Sequence, residues 1–303
     1  MMLALPVAFC AGARLENLAF ILQYLISGLT VGSVYAIVAL GFSFIFNASG
    51  VCNFAQGEFV MLGGMGMVWL LGLGVPMPLA FLCSVGIGIV AGILLERGVI
   101  NPRREAGFLI LFALTLAAST FFKGTARLAW GVYEHSGKVF TPGVHHFLGA
   151  SISDQALWII GGSVVIFVGI WFFLTRTLVG KAMRANTDSH VGASLVGINT
   201  QMITLLSFAI SAGLGAMAGV LVAPITLMSY QAGGQFLFKG YVAAGVGGFG
   251  SNPGALVAGY LLGIVEQLSA GVISPLFKDG VAFALVIIFL TYKPLGFFGK
   301  SET

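Results

Sequence analysis

Between Glu16 and Glu58 the chain carries no Lys, Arg, Asp or Glu, and apolar blocks of similar length recur to its end. The hydrocarbon core of a bilayer is about 30 Å thick and takes about 20 apolar residues of helix to cross. Runs of that length have no comparable explanation in a water-soluble fold. Backbone amides in lipid must bond to one another, so only helices and closed barrels span it, and unbroken rather than alternating apolar runs select helices. The expected fold class is an all-α polytopic membrane protein. Composition agrees, with 58% of the 303 residues hydrophobic and 8% charged, against about 25% charged in an average soluble domain. The net charge of +4 does not point to nucleic acid, because the basic residues sit in short loops between apolar runs, where they orient a chain in lipid. Cys10, Cys52 and Cys83 are odd in number and far apart, which supports neither a disulfide framework nor a metal cage.

Helices are expected at 18–46, 54–73, 78–96, 107–122, 155–174, 200–222, 236–249, 253–271 and 279–292, or about 8–9 transmembrane or re-entrant helices. The first is long enough for a span followed by a broken piece near 47–53, and 236–249 is short enough to be re-entrant. An apolar stretch at 3–13 is short and has no basic residues before it, so the first span, rather than a cleaved signal peptide, is expected to direct insertion. Three connections are basic, carrying Arg97, Arg103 and Arg104, then Arg176, Lys181 and Arg184, then Lys293 and Lys300. The positive-inside rule puts all three in the cytoplasm and the 123–154 connection outside.

Many of the 44 glycines lie within spans, where small residues let helix backbones approach closely. An internal echo is visible. Val75-Pro76-Met77-Pro78-Leu79-Ala80 leads into a glycine-rich helix closing on Glu96, and Ser251-Asn252-Pro253-Gly254-Ala255 leads into another closing on Glu266. The expected organisation is one transmembrane domain over 1–303 with repeat-like halves at about 18–122 and 155–292. A substrate site in such a protein lies between the repeats near the midplane.

The most informative local motif is Asn53-Phe54-Ala55-Gln56-Gly57-Glu58, with Asn47 upstream. Asn53 is a good N-cap, and Gln56 three residues on completes a variant capping box, so a helix should start at Asn53. A helix starting within the membrane turns its free N–H groups and positive dipole end toward a substrate carboxylate. A helix starting at the membrane surface would make the same motif a plain cap; depth decides. Glu58 at membrane depth is costly unless paired or facing water. Lys239, following the Gly233-Gly234-Gln235 break, is expected to reach an interface or neutralise a carboxylate, and is a candidate for lining the path. Glu96 and Glu266 are expected to end their helices, paired with Arg97 or wet.

The connection at about 176–199 differs in kind. Ala182, Met183, Ala185, Gly192, Ala193 and Leu195 among polar residues allow a short surface helix with a small, apolar face. Such a face could dock in another protein's groove, with Lys181 and Arg184 at its rim.

Five ordered segments carry a resemblance: Gly28-Leu29-Thr30-Val31-Gly32-Ser33-Val34-Tyr35-Ala36; Asn53 to Glu58; Leu195-Val196-Gly197-Ile198-Asn199; Gly247-Gly248-Phe249-Gly250-Ser251-Asn252-Pro253-Gly254-Ala255; and Pro294-Leu295-Gly296-Phe297-Phe298-Gly299. Together they resemble the permease subunits of bacterial branched-chain amino acid ABC importers of the Liv type, over about Leu22 to Lys300. The resemblance implies an ABC importer permease fold in the inner membrane. It further implies a second permease subunit, two cytoplasmic ATP-binding subunits and a periplasmic amino-acid-binding protein as partners. It makes Gly180, Lys181, Arg184, Ala185, Gly192, Ala193, Leu195 and Gly197 the coupling segment for an ATP-binding subunit, while the polar residues singled out above, Asn47, Asn53, Gln56, Glu58 and Lys239, remain the candidates for the substrate path on their own chemistry. Gln56 stands where the family often has His, and Val191-Gly192 where an acidic residue and Ala are common. Related permeases carry urea or short amides, which stay open as substrates beside leucine, isoleucine and valine.

No cofactor is expected, and ATP would be used by the partner subunits. Gly131 to Gly137 and Lys138 approximate a phosphate-binding loop, but the spacing is wrong, Val139 replaces Ser or Thr, and no strand precedes it. A stand-alone secondary transporter or channel remains an alternative, needing its own ion-coupling site. An intramembrane hydrolase is disfavoured, since His135, His145, His146 and His190 all fall in connections without metal-ligand spacing.

Overall fold

A computed structural model describes the backbone of residues 5–104, 106–147 and 149–299. Lys300, the first residues of the 3–13 stretch and the side chain of Cys10 lie outside the described residues. The chain is a bundle of helices: α1 (Leu5–Ser49), α2 (Gln56–Gly72), α3 (Met77–Leu95), α4 (Phe108–Trp130), α5 (Asp154–Arg176), α6 (Leu178–Asp188), α7 (His190–Leu195), α8 (Thr200–Val222), α9 (Ala232–Gly247), α10 (Asn252–Val272) and α11 (Lys278–Tyr292). Six of them are long and apolar enough to cross a membrane. A π-helical turn (Glu96–Ile100) and a 3-10 turn (Asn101–Arg103) extend α3.

Short polar residues set several helix starts. Ser153, Thr177, Ser189, Asn199 and Ser251 each accept a backbone N–H of the first turn of α5, α6, α7, α8 and α10, satisfying donors that an uncapped helix leaves open. The break expected near 47–53 falls after Ser49, where α1 ends at Gly50, whose φ of 65° a side chain would disfavour. The 123–154 connection is shorter than expected, because α4 runs on through Lys123 and Arg127 to Trp130. It holds a small antiparallel hairpin, β1 (Val144–Phe147) with β2 (Ala150–Ser153), a departure from purely helical structure. The expected break at Gly233-Gly234-Gln235 is also absent; these residues form the first turn of α9.

The two ends of the bundle are chemically distinct. The hairpin end gathers β2, where the Ser151 N–H donates to Gln23 Oε1 at 2.7 Å, and the 130s connection, where His135 pairs with Met228. The opposite end gathers the basic connections. There Asn47 Nδ2 donates to the Gly250 carbonyl at 2.8 Å, Asn186 Nδ2 to the Ala48 carbonyl at 3.3 Å, and the Phe298 N–H to the Gly247 carbonyl at 3.1 Å. With Arg104, Arg184 and Lys293 at one end, the positive-inside rule assigns that end to the cytoplasm.

Small residues fuse the bundle. Gly259 and Gly263 of α10 lie against Ala36 and Gly32 of α1, and Gly88 and Gly92 of α3 lie against Ala216 and Ala212 of α8. Both contacts are antiparallel stripes with four-residue spacing, the close backbone approach that substitutes in lipid for hydrophobic driving force. α1 runs from the hairpin end to the basic end, and α8 runs the opposite way.

Candidate functional site

Two helices begin inside the bundle. After α1 reaches the basic end, residues 50–55 turn back inward, and α2 starts against the middles of its neighbours before rising to the hairpin end, where Trp69 shares a cavity with Trp130 and His135. Its starting depth is set by its contacts. Gln56 Nε2 donates to the Ser211 carbonyl at 3.2 Å and the Ser211 hydroxyl to Gln56 Oε1 at 2.7 Å. Ser211 stands about 16 Å along α8 from Thr200. α9 begins at the same depth and runs the other way, to the basic end. The two starts touch: a Cβ on Gly233 would lie 2.7 Å from Glu58 Oε2 and 2.8 Å from the Gly57 carbonyl oxygen, and one on Gly57 would collide with the Gly233 carbonyl. Only glycine at both positions permits this approach.

The predicted capping box does not form. α2 begins at Gln56 rather than Asn53, and Asn53 Oδ1 instead accepts the Ala55 N–H at 3.0 Å in a local turn. Gln56 does not reach back to Asn53 because Ser211 of α8 competes for its amide with two hydrogen bonds. Asn53, Gln56 and Glu58 are nonetheless fully buried together. Glu58 Oε1 accepts from the Ser119 hydroxyl at 2.9 Å and faces Lys123 Nζ at 3.4 Å, both on α4. Among the described residues, Glu58 Oε2 and Asn53 Nδ2 have no hydrogen-bond partner. A buried donor and a buried acceptor are thus left open beside the two helix starts, at a cost of about 1–3 kcal/mol each when nothing binds them.

Phe54 packs on the basic side of these two helix starts. Its ring meets Phe112 of α4 edge-on at 4.7 Å and Tyr241 of α9 at 5.6 Å. On the hairpin side, Arg127 of α4 stands over the Tyr230 ring at 5.8 Å. Aromatic contacts thus link α4 to α9 and to the segment before it at two levels.

Lys239 and Asn47 are not part of that junction. Lys239 lies two turns along α9 from Gly233 and donates to Glu266 Oε1 at 2.8 Å and to Asp279 Oδ1 at 2.9 Å. Glu266 Oε2 accepts from Tyr35 at 3.0 Å, and Lys278 lies 3.5 Å from Oε1. Glu266 does not end its helix as expected but sits within α10, buried at mid-bundle, because Lys239 and Tyr35 supply its partners there. Glu96 does stand at the end of α3, with Arg97 turned outward to solvent and no ion pair between them. Asn47 is at the basic end, tying α1 to the 250 turn.

The expected single surface helix is two, α6 and α7, divided at Ser189. Its small apolar face is largely turned inward: Gly180 lies against Leu174, and Met183 and Ala193 are buried, while Ala182 and Ala185 are half-buried. The bundle covers that face because α6 packs against α5, α1 and α8. What faces outward is Lys181 and Arg184 on α6 and an apolar patch of Val191, Leu195 and Val196, the last two 81% and 76% exposed. Gly197, at φ 85°, closes α7 with a hydrogen bond to the Ser194 carbonyl at 3.1 Å.

Lys123, Ser119, Ser211, Tyr35 and Asp279 were not legible as site residues. A lysine seven residues before Trp130, at the close of an apolar run, was the available signal for Lys123.

The sequence profile of the family described as "Branched-chain amino acid transport system / permease component" matches residues 24–290. Among curated proteins, the chain is 33% identical over 300 residues to the high-affinity branched-chain amino acid transport system permease protein BraD of Pseudomonas aeruginosa, covering 93% of this chain and 96% of that one. It is 30% identical over 313 residues to the permease protein LivH of Escherichia coli K12, covering 95% and 98%. Among solved structures it resembles PsaBC from Streptococcus pneumoniae, determined in complex with a Fab, at a TM-score of 0.50 and 13% identity over 88% of this chain and 91% of that one; this likeness concerns the fold alone. The apolar spans and the permease kinship make this a multi-pass inner-membrane protein. The chain belongs to the family of branched-chain amino acid transport system permease components.

Proposed function

We propose that the chain is the inner-membrane permease subunit of an ATP-driven, binding-protein-dependent importer for leucine, isoleucine and valine. The observation that carries this reading is the junction where α2 and α9 begin, at which Asn53 Nδ2 and Glu58 Oε2 are buried without a partner among the described residues. A zwitterion matches both: its carboxylate suits Asn53 Nδ2 and the positive helix start, and its ammonium suits Glu58. The Phe54, Phe112 and Tyr241 rings offer an aliphatic side chain an apolar wall. Both polar atoms are sealed from solvent, so a substrate reaches them only when α4 and α9 move apart. α1 with α2 and α3, and α8 with α9 and α10, act as inverted halves around that junction.

Energy enters at the basic end. Two ATP-binding subunits hydrolyse ATP, and one of them holds α6 and α7 through Val191, Leu195 and Val196, with Lys181 and Arg184 at the rim. Gly180, Ala185, Gly192, Ala193 and Gly197 give the pair its shape. A second permease supplies the other wall of the pathway, and a periplasmic binding protein delivers substrate at the hairpin end. Asn47 and Lys239 flank the path, the first at the cytoplasmic exit.

The test is uptake of radiolabelled L-leucine by the assembled transporter in proteoliposomes. ATP-dependent uptake competed by isoleucine and valine is expected, with urea and acetamide without effect. Leu195→Asp should abolish uptake without altering the melting temperature. Leucine uptake by this chain alone, driven by an ion gradient, would refute the reading.

A further inference from the structure

A second cavity, of about 390 Å³, opens at the basic end between the close of α3, the 50–55 turn, α7 and the start of α8. Glu96 lines it, only 2% exposed and with no hydrogen bond or ion pair among the described residues. A buried carboxylate in this setting is costly unless it faces water or a cation. α3 widens into its π-helical turn at Glu96, an irregularity that recurs at functional positions. Arg104 lines the same cavity without pairing with Glu96, and Gln201, with its amide oxygen turned toward the guanidinium, accepts from it at 3.0 Å. Val51, Ile100, Leu111 and Val191 supply apolar wall. The cavity shares no lining residue with the polar cluster at Glu58.

We propose that this cavity binds a free aliphatic α-amino acid from the cytoplasm, with its ammonium on Glu96, its carboxylate on Arg104 and its side chain against Val51, Ile100, Leu111 and Val191, and that occupancy slows import. The inference rests on the transport reading above. Its physical basis is that one wall, Val51, belongs to the segment leading into α2, and another, Val191, belongs to α7. A ligand bridging them ties the motion of the surface helices to the segment that leads into α2. Accumulated product then restrains the machine that delivers it.

The experiment uses the assembled transporter in proteoliposomes whose cytoplasmic face is exposed to buffer, to 5-fold graded L-leucine, or to L-glutamate as a control. Leucine on that face should lower the initial uptake rate by at least about fivefold, a typical allosteric coupling, and glutamate should not. Glu96→Gln and, separately, Arg104→Gln should each remove the inhibition while uptake from the other face persists. Arg104 is exposed, so its variant carries the test should Glu96→Gln fail to fold. Uptake that is indifferent to cytoplasmic leucine, or inhibition retained in Arg104→Gln, overturns this inference and leaves the transport reading standing. Absence of leucine uptake by the wild type overturns both.

Discussion

Glu58 and Glu266 are both buried carboxylates at mid-bundle, each beside a lysine on a neighbouring helix, and they are satisfied very differently. Glu266 is saturated: Lys239 at 2.8 Å, Tyr35 at 3.0 Å and Lys278 at 3.5 Å engage its two oxygens, and Lys239 is itself shared with Asp279. Glu58 has Ser119 at 2.9 Å and Lys123 at 3.4 Å on one oxygen and nothing on the other. A closed charge network holds α1, α9, α10 and α11 in register. On the transport reading proposed above, an open one keeps binding capacity in reserve, and the difference then separates a structural ion cluster from a substrate-binding one.

The comparison breaks or sharpens under substitution. Lys239→Met should produce the largest effect, about 3 kcal/mol of lost stability, because it strands Glu266 with less than its full complement of partners; a fall in the melting temperature of the purified protein measures it. Adding Glu266→Gln should recover most of that loss, since neutralising both members of a buried pair is far milder than removing one. Glu58→Gln should leave the melting temperature near that of the wild type, as the amide oxygen still accepts from Ser119, while leucine uptake falls about tenfold, or about 1.4 kcal/mol. The reverse pattern, a destabilised Glu58→Gln with normal uptake per folded molecule, would make both clusters structural. Asp279→Asn should have the smallest effect, under about 1 kcal/mol, because its side chain is half exposed and its contribution to Lys239 is screened.

The two surface helices show how far local signals reach. Thr177, Ser189 and Asn199 mark the starts of α6, α7 and α8 as caps, and Gly197 marks the end of α7. The alanine and glycine pattern between them was legible, but its direction was not: Met183 and Ala193 face the bundle, and Val191, Leu195 and Val196 face out. A periodic apolar face specifies that something covers it, and only packing decides whether the cover is the same chain or another.

The sequence by itself determined the membrane and its long apolar spans, because these follow from apolar length against bulk water and lipid, and loop charge alone assigns the basic end to the cytoplasm. It also marked Asn53, Gln56, Glu58 and Lys239 as polar groups out of place in lipid. Only the tertiary structure decided their partners, because these come from far along the chain: Gln56 meets Ser211, Glu58 meets Lys123, Lys239 meets Glu266 and Tyr35 meets Glu266. A buried charge announces that it needs a partner, and the fold alone determines which residue arrives at that depth, or whether the place is left open for a ligand.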